Sequence, residues 1–130
     1  MNFAIDCTYD ILSNAKAGII TSGTATLETA IFGLPQVVCY KTNPITYKIA
    51  RYLAKIKYIS LVNLILDKPL LTELIQHDCN SCRIVEELRK ITEDEAHITN
   101  MREGYSELLR KLNKEGVSKK IATAIVEGLV

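Results

Sequence analysis

The sequence has no apolar run long enough to cross a bilayer. Its start, Met1-Asn2-Phe3-Ala4, lacks the charged and apolar regions of a secretory signal. A soluble, cytoplasmic protein is therefore expected. Asp and Glu are missing from the whole stretch between Thr29 and Leu66. That stretch carries Lys41, Lys48, Arg51, Lys55 and Lys57, so it is basic and the remainder of the chain is net acidic. A weakly basic region suits a phosphorylated substrate or an anionic membrane face. It is too sparse to argue for nucleic acid, and with no Trp and only 6% aromatic residues the stacking partners are too few as well. Internal repeats, low-complexity segments and a clear linker are also absent. No Gly-Lys-Ser/Thr follows the one small-residue turn, which excludes a P-loop, and the three-glycine spacing of the dinucleotide fingerprint is missing.

The four cysteines, Cys7, Cys39, Cys79 and Cys82, read as reduced thiols in a chain without a secretory signal. Cys79-Asn80-Ser81-Cys82 forms a C-x-x-C with His77 two residues upstream. No fourth ligand or second pair stands at zinc spacing, and no thioredoxin-like strand precedes the motif, so neither a metal nor a redox role is expected. Asn80 reads instead as a helix N-cap, with Cys82 in the first turn as a somewhat reactive thiol.

What is present is enough apolar sequence, 48% of 130 residues, for one domain or part of one. Ala17 to Thr21 suits a buried strand, Ser22-Gly23 a turn, and Thr24 onward a helix stopped by Gly33 and Pro35. Strand, turn and helix leave backbone N–H groups free at the helix start, where the dipole favours an anion. Thr24 and Thr26 add hydroxyl donors, and Glu28, just over one turn in, can accept from sugar hydroxyls. A nucleotide diphosphate with its ribose against Glu28 fits this pattern. An ordinary capping loop fits the same eight residues.

Gln36 to Tyr40 is a continuous apolar strand, completing a βαβ unit of a parallel sheet covered on both faces. Before this unit, Asn2 to Ile5 reads as a short strand or frayed end and Thr8 to Ala15 as a short helix capped by Thr8. After it, a helix from about Ile45 to Lys57 carries an apolar stripe, Ile49, Leu53 and Ile56, and a basic one, Lys48, Arg51 and Lys55. Tyr58 to Leu61 is strand-like, Val62 to Ile65 runs into a loop, and Leu70 to Gln76 reads as a short helix. Asn63 is a lone polar residue in an apolar run and needs a partner, either backbone or ligand. The rest is helical. Ile84, Val85, Leu88 and Ile91 face one way, and Thr92-Glu93-Asp94-Glu95 reads as a capping box. The helix it opens has a stripe of Ile98, Met101, Tyr105, Leu108 and Leu112. Ser118 caps a last helix with Ile121, Ala122, Ile125 and Leu129. The expected fold is α/β: a partial Rossmann-like parallel sheet over 1–78, then helices over 79–130 that pack on it. With so few strands, an unpaired sheet edge and exposed apolar helix stripes are expected, and with them dimers or larger assemblies.

From Ser22-Gly23-Thr24-Ala25-Thr26-Leu27-Glu28, through Pro35 to Tyr40 and Asn43-Pro44-Ile45-Thr46-Tyr47, to Ile59-Ser60-Leu61-Val62-Asn63-Leu64 and Glu73-Leu74-Ile75-Gln76, the sequence resembles lipid-A-disaccharide synthases. The resemblance covers most of residues 8–92; Val62 stands where the family commonly has Pro. It implies the donor half of a two-lobed, GT-B type inverting glycosyltransferase. Such an enzyme moves 2,3-diacylglucosamine from UDP onto 2,3-diacylglucosamine 1-phosphate at the cytoplasmic face of the inner membrane of Gram-negative bacteria. The resemblance further implies that Ser22 to Thr26 hold the UDP diphosphate and Glu28 the ribose, and that Tyr40, Asn63 and Gln76 lie near the donor cleft. It gives Lys48, Arg51 and Lys55 a membrane or acceptor-phosphate surface, and suggests a homodimer by C-terminal exchange. No cofactor or metal is implied. The family's catalytic carboxylate lies N-terminal to these motifs. His77 and His97 look like helix-surface residues, so no general base is expected in this chain and no turnover from it alone. Another UDP-sugar enzyme of this fold, a 2-epimerase or a muramyl-peptide transferase, is the alternative enzyme, and a helical interaction module the non-enzymatic one.

Overall fold

Three parallel strands order the described part of the chain. The computed structural model describes residues 6–21, 23–54 and 57–114. The elements are α1 (Thr8–Asn14), β1 (Gly18–Thr21), α2 (Thr24–Ile31), β2 (Gln36–Tyr40), α3 (Pro44–Ala54), α4 (Leu61–Leu66), β3 (Glu73–Ile75), a 3-10 turn (Gln76–Asp78), α5 (Ser81–Glu93) and α6 (Glu95–Lys114). The strand order is β1-β2-β3 and both pairings are parallel, with Ile19 opposite Val37 and Cys39 opposite Leu74. This is the expected α/β architecture. β2 is central because it is apolar on both faces: Gln36 through Cys39 are all buried. Its covering helices supply Leu27, Val62, Ile91, Met101, Tyr105 and Leu108 to one core. α2 packs on β1, β2, α4 and α6, and α5 on β2 and α6. The stripe read on α6 is buried along its whole length. The Asn2 to Ile5 strand, Ser22, Lys55, Ile56, the Leu53 side chain and the helix after Ser118 lie outside the described residues.

Several expectations are corrected. Leu61 to Leu66 is a helix, not strand and loop. Ser60 stands extended before it and accepts a hydrogen bond from the Asn63 N–H at 3.2 Å, and Asp67 closes it in the left-handed region at φ 50°. A short unbroken apolar run fits a buried helix as well as a strand, and here the cap decides. Conversely, Glu73 to Ile75 is a strand rather than a helix. The free edge of β2 offers it backbone partners, and only Leu74 of the three is fully buried. Thr8 lies inside α1, after Cys7, and caps nothing. The Thr92–Glu95 box is not formed. Thr92 donates its hydroxyl to the Leu88 carbonyl at 2.7 Å within α5, while Asp94 accepts from the His97 N–H at 3.1 Å to start α6. On α5, Val85 is exposed and Glu87 is buried in its place, held by Lys90 at 2.9 Å.

α3 is the least covered element. Ile45, Ile49 and Tyr52 are 69%, 54% and 82% exposed, so the apolar face of this helix looks into solvent. Asn43 caps it, accepting from the Ile45 N–H at 2.9 Å, with Pro44 in the first helical position where no N–H is needed.

Candidate functional site

The C-terminal ends of β1, β2 and β3 lie side by side, the edge of an open α/β sheet where ligands bind. At the end of β1 the turn is built on Gly23, with φ 123° and ψ −158°, a region open only to glycine. Nothing lies within 4 Å of the place a Cβ would occupy there, so the main chain is open to a ligand. Among the described residues no side chain caps α2. The Thr26 N–H donates to the Gly23 carbonyl at 3.3 Å, which leaves the N–H groups of Thr24 and Ala25 for an exogenous acceptor.

Not every residue read into this site is available. Thr24 is exposed and Ala25 half-buried, but Thr26 is buried and its hydroxyl donates to the Gly23 carbonyl at 2.8 Å. That hydroxyl fixes the turn and is not free for a ligand. Glu28 is half-buried on α2 and enters no ion pair among the described residues. Tyr9 of α1 stacks on Phe32 at 5.5 Å. Its phenol pKa is raised, first by desolvation and then by the nearby Glu28 carboxylate. Tyr9 and Phe32 are thus neighbours of the Glu28 face that the sequence did not single out.

Asn63 and Gln76 hold the edge from within. Asn63 is 1% exposed. Its Nδ2 donates to the Leu71 carbonyl at 2.8 Å and to Glu73 Oε1 at 3.1 Å, and its Oδ1 accepts from the Leu71 N–H at 2.9 Å. The partner it needed is the chain itself. Glu73, at the start of β3, also accepts from the Ser60 N–H at 2.8 Å and the Ile59 N–H at 3.0 Å. Gln76 exchanges two hydrogen bonds with the Thr42 backbone, at 2.8 Å and 3.0 Å, extending the β2–β3 ladder with a side-chain amide. Gln76 itself is left-handed, φ 53°, which turns the chain out of β3.

Beyond the turn, Tyr40 at the end of β2 and Ile75 at the end of β3 line a pocket of about 180 Å³ closed by α3. Tyr47 leans on Tyr40 with ring centroids 6.4 Å apart. Arg51 lies over the Tyr47 ring and donates to its hydroxyl, and Lys57 lies over Tyr58. The structure therefore brings Tyr40 and Arg51 into one pocket. Lys48 is exposed on α3 and outside it.

The thiols divide differently from their spacing. Cys79 sits against Cys39 of β2, whose thiol pKa is pushed up to about 11, first by burial and then by Cys79. Cys82 is exposed on the first turn of α5, which Asn80 caps by accepting from the Arg83 N–H at 3.0 Å. His77 is exposed, but His97 is half-buried, with an Nε2 that finds no partner. Among the described residues no group of His, Cys, Asp or Glu could hold a metal ion, and no helix is long and apolar enough to cross a membrane.

A family profile described as lipid-A-disaccharide synthetase matches residues 2–127. A lipid-A-disaccharide synthase of Geobacter sulfurreducens is 34% identical over 124 residues, which is 95% of this chain and 32% of that protein. One from a Sulfurihydrogenibium species is 40% identical over 118 residues, 91% of this chain and 30% of the relative. One from Syntrophus aciditrophicus is 38% identical over 115 residues, 88% and 30%. The chain thus spans about a third of the length of these relatives.

Proposed function

Because the chain belongs to the lipid-A-disaccharide synthetase family, we propose that it forms part of the UDP-sugar half of a hexosyltransferase. The transferase passes 2,3-diacylglucosamine from UDP to 2,3-diacylglucosamine 1-phosphate, and this chain contributes the donor side. The observation that carries the reading is the start of α2 behind Gly23, which no side chain of the described residues caps, with open space above the glycine. In this reading Ser22, Gly23, Thr24 and Ala25 cradle the diphosphate through backbone N–H groups and the Thr24 hydroxyl, and Glu28 accepts from the ribose. Thr26 acts through the turn it ties down. Removing a charged acceptor costs about 1–3 kcal/mol, so Glu28→Ala should weaken UDP by that amount in calorimetry. Equal affinity in the two proteins would defeat the ribose assignment. With Glu28 given to the ribose, the described residues of the site leave no other carboxylate or imidazole beside the turn as a base, so this chain alone should give no disaccharide.

The exposed α3 face supports a second part of the reading, contact with an anionic inner-membrane surface. Ile45, Ile49 and Tyr52 would enter the interface while Lys48 and Arg51, and Lys55 outside the described residues, meet lipid phosphates. Each cation near such a surface contributes about 1 kcal/mol. Replacing all three by Gln should reduce co-sedimentation with phosphatidylglycerol vesicles at low salt; unchanged sedimentation would return the stripe to a solvated face. For the homodimer by C-terminal exchange, the supporting feature is that β1 and β3 are each paired on one side only among the described residues.

A further inference from the structure

We propose that the pocket between α3 and the ends of β2 and β3 is an acyl-chain site. It takes the hydrocarbon chain of the sugar that the nucleotide carries, and so rests on the donor reading above for what the chain is attached to. Its position is the first argument. Strands in a sheet are about 4.8 Å apart, so the ends of β2 and β3 lie about 5 and 10 Å from the end of β1, where the diphosphate turn sits. A group on the sugar next to the diphosphate reaches that far.

The lining is the second argument. Tyr40, Tyr47, Tyr58, Ile59 and Ile75 present ring faces and aliphatic carbon, and no acidic side chain lines the pocket. An amine would need a carboxylate there. The charged groups are the cations Arg51 and Lys57, each over a tyrosine ring, Arg51 donating to the Tyr47 hydroxyl and Lys57 pairing with Asp67 at 3.4 Å, and they complement ester oxygens or phosphate at the mouth. Size is the third. A cavity of about 150 Å³ lined by apolar side chains holds benzene, so about 180 Å³ takes roughly six carbons of a chain and leaves the rest outside.

The test uses this chain with butyl, hexyl, octyl and decyl phosphate, by calorimetry below their micelle concentrations. Affinity should rise with each methylene, up to about fourfold per carbon, and level off once about six carbons are in. Ala50 lines the pocket and is exposed on α3, so Ala50→Trp fills the space without opening the core, and circular dichroism checks its fold. It should abolish the dependence on chain length. Arg51→Gln, which leaves the apolar lining in place, should weaken all four phosphates several-fold and keep that dependence. UDP-N-acetylglucosamine and its long-chain acylated counterpart complete the set: the acylated donor should bind more tightly to the parent chain and lose that advantage in Ala50→Trp. Affinity independent of chain length, a length dependence that survives Ala50→Trp, or no gain from acylation would each overturn the proposal. The two readings separate cleanly. UDP that fails to bind sinks the turn assignment while a length-dependent alkyl series still upholds the chain site.

Discussion

Asn63 gives the sharpest test of how the binding edge is held. Its amide makes three internal hydrogen bonds, two to the Leu71 backbone and one to Glu73, in a place where Asn63 and Leu71 are each 1% exposed. Asn63→Ala strands the Leu71 N–H and carbonyl away from water. Each buried group left unpaired costs about 1–3 kcal/mol, so the variant should lose about 3–5 kcal/mol. That is a large share of the roughly 5–15 kcal/mol that stabilises a domain. With a urea dependence of about 1–3 kcal/mol per molar, the unfolding midpoint should fall by about 2 M, followed by circular dichroism. Glu73→Gln keeps an acceptor for the Ile59 and Ser60 N–H groups and should cost less. The double variant should cost less than the sum, by about 0.5–3 kcal/mol, because the two residues share one bond. A loss below about 1 kcal/mol for Asn63→Ala would refute the internal role. If UDP affinity fell while stability held, Asn63 would instead be a ligand residue.

Gly104 of α6 faces the side chain of Leu70 so closely that an added Cβ would overlap three of its carbons. Gly104→Val should therefore destabilise by about 1–3 kcal/mol, and a thermal melt no lower than that of the parent chain would count against the α6–Leu70 packing. Glu87 supplies a pH dependence. Burial works to raise its carboxyl pKa, but hydrogen bonds from Lys90 and Thr72, with the charges of Lys90 and Arg83, outweigh it and hold the pKa below the usual value. A depressed carboxyl contributes stability that is complete above the unfolded pKa, about 4.3, and is lost as pH falls through the lower folded one. Glu87→Gln should thus narrow the difference in urea midpoint between pH 7 and pH 3, and an unchanged difference would remove Glu87 from the acid response.

β1, the Gly23 turn, α2 and β2 were legible in the sequence because each has a local cause: β-branched apolar runs for the strands, glycine for a backbone that side chains forbid, Gly33 and Pro35 for the stop. α4 and β3 were misread for the opposite reason. Leu61 to Leu66 is too short and too uniformly apolar to show a period; the Ser60 cap settles α4 and the edge of β2 settles β3, and Asn63 bonds to Glu73 across ten residues to tie the two together. The isolated polarity of Asn63 announced that a partner existed without saying which. The pocket was hidden more deeply. Its tyrosines at 40, 47 and 58 and Ile75 meet only because the parallel register sets Tyr40 beside Ile75; the recurrence of Tyr near Arg51 and Lys57 was the signal available. The same register explains why Gln76 and Glu73 matter to a site they need not touch. One ties the loop after β2 to the end of β3, and the other ties the start of α4 to the start of β3. The ends of β2 and β3 are therefore fixed relative to one another by a side chain bonded to backbone. A ligand spanning the Gly23 turn and the tyrosine pocket would meet an edge already in place, and little of its binding energy would be spent on ordering loops.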